Sequence, residues 1–186
     1  FISVILVLLF LGGSAVVIAD INITSEHFRK TASEKNIEAQ IYTSIEKNYR
    51  EKANATGIPA NVYTDHLSEE YLASVMNVYI DAGFKTLSDG SKFAPQIPVN
   101  PELEASIDKF FNDYADKTGY KKDDKFEKKL AKTKEEAYKL IGSQCDAFKF
   151  SALNSHGAMK SISKIYSRRI HIAVIISAAA LVLLAV

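Results

Sequence analysis

The sequence has no tryptophan, a single cysteine and no surplus of charge of either sign. One cysteine excludes an internal disulfide framework. The chain carries 23 basic and 22 acidic side chains, and this near balance argues against nucleic acid as the main partner, which would favour a strongly basic face. Cys145 shares a helical face with Ile141 and Phe148. We therefore expect its thiol to be a small core group and not a reactive nucleophile.

Motifs that carry catalysis are also missing. The chain has no phosphate-binding loop, no glycine-rich dinucleotide turn, no Gly-x-Ser-x-Gly and no His-Glu-x-x-His. These absences favour a protein that is not an enzyme, and they predict neither a cofactor nor a metal. His66 lies near Asp65, Glu69 and Glu70. A solvated helix start is the favoured interpretation of this cluster, and a weak divalent-cation site is the alternative.

Charged side chains are absent from both ends of the chain. Every Lys, Arg, Asp and Glu lies from Asp20 to Arg169, and residues 1–19 and 170–186 are almost purely apolar. Because a bilayer core needs about 20 apolar residues of helix, we interpret residues 1–19 as a transmembrane helix or signal anchor. The alternative is a cleaved signal peptide, which the length of the segment disfavours. Residues 170–186 are interpreted as a truncated transmembrane helix, and we expect more chain on both sides.

The stretch between these ends is patterned for helices. Apolar residues recur at helical spacing, no period-2 strand pattern of useful length occurs, and the length suffices for one domain with a core. The fold class predicted is all-α, a helical bundle domain (residues 20–169) flanked by two transmembrane helices. The residues predicted to face the core include Ile41, Ile45, Tyr49, Leu72, Val75, Met76, Leu103, Ile107, Phe110, Phe111, Tyr114, Phe126, Leu130, Ala137, Leu140 and Ile141.

Local signals mark several helix ends. Asn100 followed by Pro101 and Glu102 predicts a capped helix start, and glycines at positions 57 and 119 predict helix ends. From Ser151 to Arg169 the apolar spacing predicts one continuous helix that leads towards the second membrane segment.

Two sets of side chains are candidate binding residues. No acidic residue follows Asp146, so the basic side chains before the second membrane segment are candidates for contact with lipid headgroups. They are Lys160, Lys164, Arg168 and Arg169. Most tyrosines fall at helical spacing and are expected in the core, but Tyr71 and Tyr114 are candidates for lining a ligand pocket between helices.

The same basic flank bears on orientation. Taken alone, the positive-inside rule would place it in the cytoplasm, but long domains translocate largely regardless of charge. An apolar N-terminal segment followed by a large domain favours export. We therefore expect residues 20–169 to be extracytoplasmic and the protein to reside in the cell membrane.

The chain resembles a group of uncharacterised multi-pass membrane proteins of Gram-positive anaerobes. The likeness lies in Ile41-Tyr42-Thr43-Ser44-Ile45, in the break Thr56-Gly57-Ile58-Pro59, in the amphipathic helix that ends near Tyr79 and in the proline-containing connector after it. The resemblance implies an N-terminal anchor, an outer helical domain and further membrane helices. It implies no activity and no catalytic residues.

Three functions follow as hypotheses. The first is a non-enzymatic membrane protein whose outer domain binds another membrane protein or an envelope component. The second is the ligand-sensing input domain of a transmembrane receptor of the sensor-kinase or chemoreceptor type, which would pass helix displacements inward. The third, an envelope enzyme, would need a pocket that gathers His66 or the carboxylates. The partners expected are the lipid bilayer and a membrane or envelope protein.

Overall fold

The computed structural model describes residues 23–168, and within this range it contains eight helices and no strand. The predicted all-α class is therefore confirmed for the described residues. The helices are α1 (Ser25–Glu34), α2 (Ile37–Thr56), α3 (Asn61–Thr64), α4 (Glu69–Asp89), α5 (Pro101–Thr118), α6 (Asp124–Cys145), α7 (Phe150–Ser155) and α8 (Ala158–Tyr166).

The two segments predicted to span the membrane, residues 1–19 and 170–186, lie outside the described residues, as does Arg169. From residue 23 to residue 168, no helix is both long enough and apolar enough to cross a bilayer.

The described residues divide into two compact units. The first unit contains residues 23–31, 80–94 and 149–168, and the second contains residues 32–79 and 95–148. Helix α4 contributes residues to both units, because the division falls between Tyr79 and Ile80.

The core of the second unit follows the predicted apolar stripes. Ile45, Leu72, Leu103, Ile107 and Ile141 have almost no exposed surface. The predicted caps are also present: the side chain of Asn100 accepts a hydrogen bond from the Leu103 amide at 3.0 Å, as expected at a helix start. Gly57 and Gly119 end α2 and α5 in the left-handed conformation, which glycine adopts without steric cost.

An aromatic cluster forms the core of the first unit. The ring of Phe84 packs edge-on against Phe28, Phe150 and Tyr166, with centroids 5.1, 5.9 and 6.1 Å away. Such edge-to-face geometry is favoured because the positive ring edge meets the negative ring face. A Cβ at Gly83 would lie 2.5 Å from a ring carbon of Phe150, so the absent side chain lets that ring approach the helix.

Two sequence-based expectations are wrong. The single helix expected over Ser151–Arg169 is interrupted, because Gly157 adopts a left-handed conformation (φ 72°) between α7 and α8. Tyr114 was expected on the buried side of α5 and is 53% exposed. The buried residues of α5 are Leu103, Ile107, Phe111 and Ala115, of which the first three were expected. This fourfold spacing turns the covered face of a helix by about 40° per step, which leaves Tyr114 at the edge.

Candidate partner-binding groove

The last turns of α5 present aromatic rings on both sides of the boundary between core and solvent. Phe111 is buried, Phe110 is half-buried and Tyr114 is exposed. The rings of Phe110 and Phe111 meet edge-on with centroids 6.0 Å apart. Helix α5 therefore supplies an aromatic wall that continues from the core to the surface.

The turn after α5 adds a second exposed tyrosine. The amide of Tyr120 donates a hydrogen bond of 3.0 Å to the carbonyl of Ala115, across the left-handed Gly119. Lys122 in the same turn forms an ion pair with Asp116 at 2.9 Å. These two contacts tie the turn to α5. Tyr120 stays 50% exposed beside the end of the helix.

The start of α6 packs against the aromatic side chains of α5 and of the turn that follows it. The carboxylate of Asp123 accepts hydrogen bonds from the amides of Lys125 and Phe126, and these bonds fix the first turn of the helix. Phe126 is then buried with its centroid 6.0 Å from Phe111 and 6.4 Å from Tyr120. One turn further along, Lys129 is exposed.

Together these segments enclose a groove of about 210 Å³ that opens to solvent. We call it the aromatic groove. Its floor and walls are apolar, and Lys129 is the only charged side chain among the described residues that line it. The residues that line it are Thr56, Gly57, Ile58, Phe110, Phe111, Tyr114, Tyr120, Phe126 and Lys129.

A smaller cavity of about 70 Å³ shares Thr56 and Ile58 with the groove and is lined also by Tyr49, Tyr63 and Glu136. Burial raises the pKa of Tyr49, and the nearby Tyr63 raises it further. Burial, and secondarily the negative charge of Glu136, raises the pKa of Tyr63 to about 12. Both hydroxyls therefore stay neutral at physiological pH.

Of the two tyrosines predicted to line a pocket, Tyr114 lies in the aromatic groove and Tyr71 does not. The Tyr71 hydroxyl donates a hydrogen bond of 2.9 Å to the carbonyl of Pro98 in the connector before α5. The Tyr138 hydroxyl accepts one of 2.9 Å from the amide of Asn100. Tyr71 and Tyr138 thus hold the connector in place, and burial raises the pKa of each hydroxyl.

The basic side chains predicted to contact lipid are grouped at the end of the described chain. Lys160 and Lys164 project from α8, Arg168 follows it, and all three are exposed. None of the three forms an ion pair with any residue from 23 to 168.

Two other candidates are placed by the structure. Cys145 has no exposed surface, and burial raises the pKa of its thiol to about 12, which confirms the prediction of a core group. His66 lies 3.8 Å from a carboxylate oxygen of Glu102 and is partly exposed. Across the described part of the chain, no three His, Cys, Asp or Glu side chains are grouped so that they could hold a metal ion.

Sequence reasoning missed Tyr120, Phe126 and Lys129 as members of one site. The available signal was the pair Gly119-Tyr120, because a glycine that ends a helix leaves the next side chain at the helix end.

Comparison with known proteins adds no relative: no protein-family model matches the chain, and no curated protein or solved structure is significantly similar to it.

Proposed function

We propose that the helical domain is a non-catalytic binding module that is held in the cell membrane by the apolar segments at both ends and lies outside the cytoplasm. Its partner is a membrane or envelope protein. The observation that carries this proposal is the aromatic groove, where Tyr114 and Tyr120 are 53% and 50% exposed beside buried phenylalanines. Tyrosine is enriched in protein interfaces, because its ring is apolar while its hydroxyl remains compatible with water.

The size of the groove favours a side chain of a partner protein over a cofactor. Sites for drug-sized ligands enclose about 300–1,000 Å³, whereas the aromatic groove encloses about 210 Å³. This volume corresponds to roughly seven water molecules of about 30 Å³ each. It suits one or two apolar side chains of a partner, which would insert as an anchor while the surrounding surface excludes water.

The positive charge of Lys129 indicates which chemistry the partner segment should have. The ammonium group of Lys129 forms no ion pair with any residue in the range 23–168, so it is available to a partner. A carboxylate next to the anchoring side chain would pair with it at the rim of the groove. We therefore propose that the partner presents an aromatic or branched aliphatic side chain adjacent to Asp, Glu or a C-terminal carboxylate.

The receptor alternative has less support from the described residues. A receptor would be suited by an uninterrupted helix into the membrane, and Gly157 breaks the helix expected there. An envelope enzyme would need a cavity that gathers His66 or clustered carboxylates. The described residues that line the aromatic groove include neither. A larger depression of about 490 Å³ is lined by Glu46, Arg50 and Asp65 but not by His66, and Glu46 there is paired with Arg50 at 2.7 Å.

Photo-crosslinking in native membranes tests the proposal. A benzophenone amino acid is placed at Tyr114 or Tyr120, and in a control chain at Val99, which is 64% exposed and is not among the lining residues of the groove. We expect the same protein adduct from both groove positions and none from Val99. The adduct should disappear with Lys129→Glu and persist with Lys128→Glu, since Lys128 is exposed on the same helix and is not a lining residue.

The crosslinked peptide of the partner should contain an apolar side chain next to a carboxylate. Equal adducts from Val99 and the groove positions, or adducts that are insensitive to Lys129→Glu, would contradict the proposal.

A further inference from the structure

Helix α8 has two chemically different faces. Its apolar residues, which include Met159, Ile162, Ile165 and Tyr166, fall on one side at spacings of three and four. Lys160 and Lys164 lie on the other side. Met159 is 1% exposed, but Ile162 is 39% and Ile165 is 67% exposed. The apolar face is therefore covered by the protein at one edge and open to the surroundings at the other.

Contacts within the first unit fix the rotation of α8 about its axis. The ring of Tyr166 packs against Phe84 at 6.1 Å. The Tyr166 hydroxyl donates a hydrogen bond of 3.2 Å to the carbonyl of Ile23. Because Tyr166 is held by these contacts and Met159 is buried, the helix cannot turn to bury Ile162 and Ile165 without breaking the Tyr166 contacts and exposing Met159.

The charge around this open edge has one sign. After Asp146 the sequence contains five basic residues and no acidic residue. Lys160, Lys164 and Arg168 are exposed, and no ion pair within the described range neutralises them. A single exposed isoleucine would need no explanation. Two on one edge, flanked by three unneutralised cations and followed in sequence by an apolar run, form the pattern of a helix that lies in a membrane interface.

We propose that α8 lies along the bilayer surface, with Ile162 and Ile165 in the boundary between headgroups and acyl chains and with Lys160, Lys164 and Arg168 against anionic phospholipid headgroups. The break at Gly157 lets α8 take a direction different from that of α7. The proposal takes membrane attachment from the proposed function and is independent of the aromatic groove.

Each basic side chain of α8 should contribute measurably to its binding to an anionic surface. Each Lys or Arg near an anionic surface strengthens attraction by about 1 kcal/mol, which is about fivefold in an equilibrium constant. Reversing both Lys160 and Lys164 to glutamate should therefore shift the equilibrium between inserted and water-exposed α8 by far more than tenfold.

The test uses the full chain reconstituted in vesicles, with a small fluorophore on Ile165→Cys. Buried Cys145 gives little background labelling, and the wild-type chain measures it. The control carries the fluorophore on Ser163→Cys, which is two residues away and hence on the opposite side of the helix. Vesicles contain phosphatidylcholine alone or with phosphatidylglycerol, and brominated acyl chains report contact with lipid by quenching.

We expect strong quenching at position 165, little at position 163, and stronger quenching at 165 when phosphatidylglycerol is present. The Lys160→Glu/Lys164→Glu chain should lose that dependence on phosphatidylglycerol. A fluorophore at 165 that stays in water in both kinds of vesicle would overturn the proposal. Equal quenching with and without phosphatidylglycerol would overturn the assignment to anionic lipid.

Protection of position 165 in detergent, together with an Ile165→Cys disulfide between two chains, would assign the face to a second copy and also overturn the proposal. Failure of the chain to float with vesicles is a separate outcome. It would remove the membrane attachment on which both proposals stand, whereas a floating chain with a water-exposed position 165 removes only this one.

Discussion

The phenol ring of Tyr49 lies parallel to that of Tyr63, with ring centroids 4.0 Å apart and planes inclined by 4°. The stack joins α2 to α3, and both rings line the small cavity that shares Thr56 and Ile58 with the aromatic groove. The Tyr49 residue is 8% exposed, and its hydroxyl finds no hydrogen-bond partner among the described residues. The stack thus combines favourable ring contact with an unsatisfied polar atom.

Removing that hydroxyl should stabilise the protein. A buried polar group without a partner costs about 1–3 kcal/mol, so we expect Tyr49→Phe to raise the free energy of unfolding by about 1 kcal/mol. Tyr71→Phe is the matched control, because it deletes the bond to the Pro98 carbonyl and should lower stability by about 1 kcal/mol. Urea denaturation measures both, and a less stable Tyr49→Phe chain would contradict this reasoning.

Gly142→Ala should destabilise the protein, although alanine is the better helix former. A Cβ at position 142 would lie 2.6 Å from both the Ile97 side chain and the Tyr79 hydroxyl. Overpacking of this kind costs about 1–3 kcal/mol, which exceeds the gain in helix propensity of about 1 kcal/mol. Ser143→Ala, at the next and exposed position, serves as the control and should be neutral or slightly stabilising. A thermal midpoint for Gly142→Ala at or above the wild-type value would show that the connector can move away.

Asn100→Ala should cost more than Asp123→Ala, although both remove a helix cap. Loss of a capping side chain costs about 0.5–2 kcal/mol. Asn100 also donates a hydrogen bond of 2.8 Å to the His66 carbonyl and is only 9% exposed, whereas Asp123 is half-buried. We expect the free energies of unfolding of the two variants to differ by about 1 kcal/mol. Denaturant midpoints, converted to free energies, measure this difference. Equal losses would mean that the buried His66 contact contributes no more than the second amide bond that Asp123 accepts.

Stability should fall in alkali, with an onset above about pH 9. The pKa of Cys145 is raised from 9.0 to about 12, and that of Tyr63 from 10.0 to about 12. Groups whose pKa is higher in the folded state contribute stability that is complete below the unfolded pKa and is lost as pH rises towards the folded value. Each such group therefore lowers the free energy of unfolding by up to about 1.4 kcal/mol per pH unit within its window.

Unfolding curves from about pH 7 to about pH 11 measure this fall. The decline between about pH 9 and pH 10 should weaken in Cys145→Ala, since the thiol titrates first in the unfolded chain. A decline of the same slope in that variant would assign the effect to other groups.

Most helix ends and most buried helix faces could be predicted from the sequence, whereas the contacts between segments distant in sequence could not. The cap at Asn100 and the stops at Gly57 and Gly119 depend on neighbouring residues, and all three are present in the structure. The stop at Gly157 was missed because apolar residues on both sides of it were assigned to one helix. The six residues from Leu153 to Met159 place these two side chains about 120° apart on a helix, so the phase changes at the glycine, which adopts a left-handed conformation.

The aromatic groove could not be predicted from local sequence patterns. It joins segments around Ile58, Tyr114 and Phe126 that are far apart in sequence, so no local pattern could bring them together. Tyr114 lies in the groove but was expected at a buried position, because a fixed helical stripe ignores the gradual rotation of the covered face. Tyr71 is also a tyrosine at helical spacing, but its hydroxyl donates a hydrogen bond to the connector before α5.

The most direct test of the account asks whether the domain lies outside the cytoplasm on a membrane-held chain. A membrane-impermeant maleimide is applied to intact cells that express Lys132→Cys, whose native side chain is 74% exposed. The wild-type chain, with buried Cys145, is the background control. We expect labelling in intact cells to equal labelling after lysis, with the protein retained in the membrane fraction after alkaline carbonate washing. Labelling only after lysis, or release of the protein into the soluble fraction, would contradict the account.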